Sequence, residues 1–223
     1  MTSIFQRALG PDFERLHPRL QRRFGFSSAD EVACVGYGWM ERVWHASGFT
    51  RPFLALGARR HILVRGTGHD IPFTIENHAY RDSFGRETVT FARTFWFDTV
   101  QHWDATMTYS SERAAIVDYL GTHQHLAVDL HLSVDKQGGL LIRSGEQRLR
   151  ACGVGLGVPR LLTGTAEVRE RYDDDLERFR IEVTVTNHRF GPLIGYLGSF
   201  IATYPERLMV PASVKPVRET ARA

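Results

Sequence analysis

Apolar residues fall at two different spacings along the chain. Over the first 25 residues they recur every three or four positions, which is the helical period. This predicts two short helices, over residues 3–9 and 12–24. Phe13, Leu16, Leu20 and Phe24 share one face of the second, Asp12 after Pro11 is its expected cap, and Gly25 is its end. Pro18 bends or restarts that helix. From residue 31 the period changes to two, the mark of strands with one buried face. Strands are expected at 31–45, 60–66, 71–80, 87–97, 101–109, 124–134, 140–150, 165–172, 177–188 and 194–204.

The connections carry turn chemistry rather than helical crossovers. Residues 82–85, 135–139 and 173–175 are rich in Asp and Gly. Short turns between consecutive strands imply antiparallel order. About ten strands in one domain curl into a barrel instead of lying flat. The expected fold is therefore mainly β: a strongly bent antiparallel sheet or barrel-like domain over residues 1–204, with a short helical N-terminus packed on it as a lid. Residues 48–58 suit a helical turn and 153–164 a glycine-rich loop. Residues 205–223 read as an extended or frayed tail.

Composition narrows the partners. The net charge of +3 comes from scattered Arg, not from a basic block, so no nucleic-acid partner is implied. The only lysines are Lys136, in a turn, and Lys215, in the tail, which disfavours Schiff-base chemistry. Cys34 and Cys152 lack the spacing of a zinc site or a disulfide framework, and read as small core residues. No leader pattern and no membrane-length apolar run is present, so the expected location is the cytoplasm.

Five stretches of the chain recur together in a known bacterial family. They are LGPDFERLHPRLQRRFG, GRETVTFARTF, GGLLIRS, VPRLL with AEVRERYD, and FRIEVTV followed by GPLIGYLGSF. On these the chain resembles the family called domain of unknown function 4166, over nearly its whole length. The resemblance implies a self-contained domain, without the fused partner that some members carry, and little chemistry. The positions matching the family's recurring polar points are Glu87, Arg93, Arg143, Glu170 and Tyr196.

The strand at 87–97 carries the clearest chemical signal. Glu87, Val89, Phe91, Arg93, Phe95 and Phe97 alternate on one face, an apolar stripe interrupted by one guanidinium. A buried Arg has to be paired or has to reach a ligand. Glu167, Glu170 and Glu182 are the candidate partners; the rival reading is an Arg that grips a carboxylate or phosphate in a cavity. Aromatic residues Tyr37, Trp39, Phe73, Trp96, Trp103, Tyr109 and Tyr196 are spread over several strands and are candidates to line such a cavity. The strand 124–134 places Leu126, Val128, Leu130, Leu132 and Val134 on a core face. His123, His125, Asp129 and His131 fall on the other, either as a wet surface or as a metal or acid-base site.

Other motifs fail their structural requirements. GVGLGV at 153–158 has Val158 where a dinucleotide fingerprint needs glycine. Ser110 and Ser199 lack a nucleophile elbow, and Glu167 and Glu170 fall on opposite faces of one strand. The leading expectation is a cavity that binds a small hydrophobic anion through Arg93, with Arg143, Glu87, Tyr196 and Trp39 as further ligand contacts. The alternatives are a cofactor-free isomerase, cyclase or hydrolase with Glu170 or His78 as general base, and a non-catalytic interaction module. No metal or cofactor is expected under the leading reading.

Overall fold

A computed structural model of the chain describes residues 1–46, 60–151, 154–157, 164–206 and 209–219. The N-terminal segment folds as α1 (Ile4–Leu9), a 3-10 turn (Gly10–Arg15) and α2 (Pro18–Gly25). Ser3 and Gln6 form a reciprocal capping box on α1. Pro18 does restart the helix, as its first residue. The cap, however, is His17, whose Nδ1 accepts from the Arg19 amide, and Asp12 lies inside the 3-10 turn. Among the described residues twelve strands follow: β1 (Ala33–His45), β2 (Gly68–Arg81), β3 (Glu87–Trp96), β4 (Val100–His102), β5 (Ala105–Ser110), β6 (Ala115–Leu120), β7 (Leu126–Val134), β8 (Leu140–Ala151), β9 (Val154–Gly157), β10 (Thr165–Asp173), β11 (Arg178–Asn187) and β12 (Gly191–Thr203).

All pairings are antiparallel, and β8 with β10 closes a ring that runs β10, β11, β12, β1, β2, β3, β5, β6, β7, β8. The barrel expected from the period-two pattern is thus a ten-stranded closed one, with β4 paired to β3 and β9 to β8 outside the ring. Four expectations shift. Residues 60–63 form turns and bends and residues 64–66 no regular structure, β6 was not foreseen, the strand expected at 101–109 divides into β4 and β5, and Val154–Gly157 of the expected glycine-rich loop form β9. The helical turn expected at 48–58 and the core position expected for Cys152 lie outside the described residues.

The inward face follows from register. Phe73, Ile75, Asn77 and Ala79 of β2 oppose Phe95, Arg93, Phe91 and Val89 of β3, and apart from the two polar side chains these belong to the main core cluster. Ile181, Val183, Tyr196 and Phe200 continue that lining across β11 and β12. The helical segment seals one end of the ring. Its Ile4, Phe5, Leu9, Phe13, Leu16, Leu20 and Phe24 are all buried in the same core, with Phe5 and Phe24 against Phe91. It is a plug inside the barrel mouth more than a lid across a sheet.

The C-terminal residues run along the outside. Lys215 sits over the Tyr80 ring at 5.1 Å, the Val217 amide donates to the Thr122 carbonyl at 2.8 Å, and the Ser83 amide donates to Glu219 at 2.8 Å. Among the described residues no helix is long and apolar enough to cross a membrane.

Candidate functional site

Among the described residues two arginines enter the apolar interior, and they are treated differently. Arg23 projects from α2 and is 1% exposed. Its Nε donates to Glu170 at 2.5 Å, and its Nη1 donates to Asn77 at 2.6 Å and to the Cys34 sulfur at 3.1 Å. Four aromatic rings surround its guanidinium, Phe200 closest at 4.9 Å. Burial pushes the Glu170 carboxyl up from the usual carboxylate range, and Arg23 works against that push. A charge so far from water needs its counter-ion in contact, and Glu170 supplies it.

Arg93 has no such partner among the described residues. It is 8% exposed, its Nη1 donates to the Tyr196 hydroxyl at 3.3 Å, and its guanidinium lies 5.6 Å from the centre of the Trp103 ring. Its Nε is buried without an acceptor. Glu170 is committed to Arg23, Glu167 is bonded to Arg143 and Arg169 on the outer surface, and Glu182 shares that outer surface. None of the three expected carboxylates therefore pairs with Arg93 in contact.

Facing the same interior from β6 is Asp118, which is 7% exposed and whose Oδ1 has no partner. Desolvation raises its pKa to about 7, with Arg93 pulling the other way. Asp118 joins the inner face because it opposes Met107 and Val128, both core residues. Arg93, Tyr196, Trp103 and Asp118 thus come from four separate stretches to one interior region. A buried cation, a carboxyl poised near neutrality, a phenol and an indole form a polar island in an apolar lining, the usual make-up of a small-molecule site.

Of the residues expected from sequence, Arg93, Tyr196 and Glu170 reach the interior. His78 does not. It opposes Ala33 and Thr90 on the outer side of β2, bonded to Glu76 at 2.9 Å, while Arg93 opposes Ile75 on the inner side. It therefore cannot act beside Arg93, because a strand turns alternate side chains to opposite faces. Arg143 is on the outer surface with Glu167 at 2.9 Å, and Trp39 is 55% exposed on the outer face of β1. Neither lines the interior. Glu87 lies at the plugged end, accepting from the amide and hydroxyl of Ser28. Of the expected aromatic lining, Phe73, Trp103 and Tyr196 turn inward, while Tyr37 and Trp96 are half exposed.

The histidine strand divides. Leu126, Val128, Leu130, Leu132 and Val134 do face the core. Asp129, opposite, is tied to Arg148 at 2.5 Å and Arg113 at 3.0 Å, and His131 is exposed. His123 and His125 precede β7 and stack at 5.6 Å, with His125 bonded to Arg60. A hollow lined by Glu167, Arg169, Glu182 and Thr184 lies on the outside of β10 and β11 and takes no residue from the interior.

Sequence reasoning missed Arg23, Asp118 and a rim cluster of His61, His102 and Asp104. At the rim, the Arg93 amide donates to Asp104 Oδ1 at 3.2 Å, and His61 Nδ1 is 2.6 Å from Asp104 Oδ2. Burial lowers the His102 pKa, with His61 adding to the effect and Asp104 opposing it.

The chain is 33% identical over 201 residues to the uncharacterized protein YndH of Bacillus subtilis (strain 168), covering 90% of this chain and 97% of that one. No solved structure matches it significantly. Residues 16–200 match the model of a domain of unknown function (DUF4166), a span that takes in Arg23, Arg93, Asp118, Glu170 and Tyr196. That span runs from the helical plug to the last strand, and the chain belongs to the DUF4166 family.

Proposed function

We propose that the region between Arg93, Tyr196, Trp103 and Asp118 receives the acidic group of a small, largely apolar molecule. One contrast carries this reading: of the two guanidiniums inside the barrel, Arg23 is neutralised in contact by Glu170, and Arg93 has only a hydroxyl and a ring. A carboxylate on the guest would supply the missing charge-assisted hydrogen bonds and accept from the idle Nε. The phenylalanine-rich lining around it suits an apolar body. Eight-stranded barrels already hold one small ligand, and lumen width grows with strand number. In this ten-stranded ring the helical plug occupies one end, and a guest would sit against Arg93, Tyr196, Trp103 and Asp118.

The test is a thermal-shift screen of straight-chain and aromatic carboxylic acids, with matched alcohols, against wild type and Arg93→Met. An acid at about 100 times its dissociation constant stabilises by about 2.7 kcal/mol, which corresponds to roughly 5–10 °C for a chain of this size. The shift should be present in wild type, absent for the alcohols and lost in Arg93→Met. Equal shifts in both proteins would end the proposal.

The raised pKa of Asp118 favours a second reading, a cofactor-free enzyme in which this carboxyl is the acid-base group beside Arg93. Glu170, held by Arg23, is the poorer candidate. If a bound acid is turned over, Asp118→Asn should abolish turnover and leave the acid-induced shift in place. Turnover that survives the substitution refutes the role.

A further inference from the structure

The rim cluster is used by neither the core nor the proposed ligand. Its elements are the turn at residues 60–63, β4, and the two residues joining β4 to β5. Trp103, opposite Arg93, turns inward, so its neighbours His102 and Asp104 turn outward. The ladder is interrupted here by a side chain. Arg93 accepts from the Trp103 amide at 2.9 Å but gives its own amide to Asp104 Oδ1 at 3.2 Å. The carboxylate is thereby fixed in place. His61 is fixed too, because its carbonyl accepts from the Asp104 amide at 2.8 Å. His102 Nδ1 meets the Thr94 hydroxyl at 3.3 Å, and the two imidazoles stack with centres 4.6 Å apart.

One nitrogen from each histidine and one oxygen of Asp104 all lie within 4.8 Å of one another. Donors about 2.0–2.1 Å from a four-coordinate ion stand about 3.3 Å apart, so closing on an ion needs side-chain shifts of only about 1 Å. The site is reachable: the side chains of His61 and Asp104 are 36% and 18% exposed. We propose that His61, His102 and Asp104 bind a divalent transition-metal ion of the zinc class. Two imidazoles and one carboxylate, with no thiolate, form a borderline donor set that suits zinc or cobalt better than calcium or copper(I). The ion replaces the hydrogen bond between His61 Nδ1 and Asp104 Oδ2: the neutral imidazole coordinates through Nδ1 as the tautomer whose single proton is on Nε2, so a proton that bridged the pair moves to Nε2. Three protein ligands leave at least one position for water or an incoming donor. The competing reading is a purely structural hydrogen bond that pins the 60–63 turn to the barrel.

The inference is independent of the Arg93 ligand, since it uses the Arg93 main chain and not its guanidinium. The full chain, freed of metal by chelator dialysis, is titrated with zinc chloride by calorimetry and with cobalt chloride by visible absorption. One equivalent is expected to bind, with the cobalt bands of a four- or five-coordinate ion. His102→Gln and Asp104→Asn should each weaken binding by about 100-fold, and Asp104→Asn keeps an acceptor for the Arg93 amide so that folding is retained. The exposed His131 is the control, and His131→Ala should leave affinity unchanged. Absence of binding at micromolar metal overturns the proposal. So does affinity that survives both rim substitutions, or that is lost in His131→Ala.

Discussion

Replacing Asp118 by Asn removes a carboxyl that burial holds at a pKa of about 7, against 3.8 for an ordinary aspartate. Between those two values the folded chain binds a proton that the unfolded chain has released. Stability from this residue is therefore fully present below about pH 4 and is lost as pH rises through 7. Each pKa unit is worth about 1.36 kcal/mol, so the ceiling on the loss is roughly 4 kcal/mol. Domains of this size shift by about 2–4 °C per kcal/mol, which puts the ceiling near 8–16 °C; relaxation around the charge lowers it. Melting temperatures of wild type and Asp118→Asn are measured at pH 5, 6, 7 and 8, and only their difference is read, so that other titrating groups cancel. The variant should gain on wild type by several degrees from pH 5 to pH 8. Parallel curves would refute the reasoning. A wild type that gains on the variant instead would mean that Arg93 and Asp118 form a charged pair, and that Arg93 needs no guest to neutralise it.

Glu170→Leu leaves Arg23 charged among aromatic rings, and should cost about 3–5 kcal/mol in urea denaturation. Arg23→Met combined with Glu170→Leu should recover most of that loss, because both charges leave together; a double variant as unstable as the single one contradicts this. Trp39→Ser and Arg143→Ala, both on the outer surface, should change stability by less than about 0.5 kcal/mol and leave the acid-induced thermal shift intact. A weakened shift in either variant would place the guest outside the barrel.

The barrel was legible wherever one face of a strand is wet. Arg93 and Phe95 alternate with the less buried Ala92, Thr94 and Trp96, and the apolar stripe that runs on to Phe91 and Val89 singled out Arg93. The period disappears in β6, where Ala115 to Tyr119 are all buried: Ile116 and Asp118 face the lumen, and Val117 and Tyr119 pack with Ala127 outside. With both faces dry, the segment carries no pattern to read, and Asp118 went unseen with it. Arg23 was hidden for a different reason. It stands beside Arg22 in a helix, and nothing local tells which one enters the barrel. Its partner lies 147 residues away. The rim cluster joins His61 to Asp104 across 43 residues, through a turn whose hydrophobicity resembles a strand.

The helical plug also constrains the order of events in folding. Arg23 is made long before Glu170, and until β10 is in place its cation has no counter-charge; two of the four rings around it, Phe179 and Phe200, come from the last two strands. Arg23 reaches its final surroundings only once those strands are in place. Contacts so distant in sequence form slowly. The segment that comes first along the chain is thus a late arrival in the native structure, a cork that must wait for its bottle.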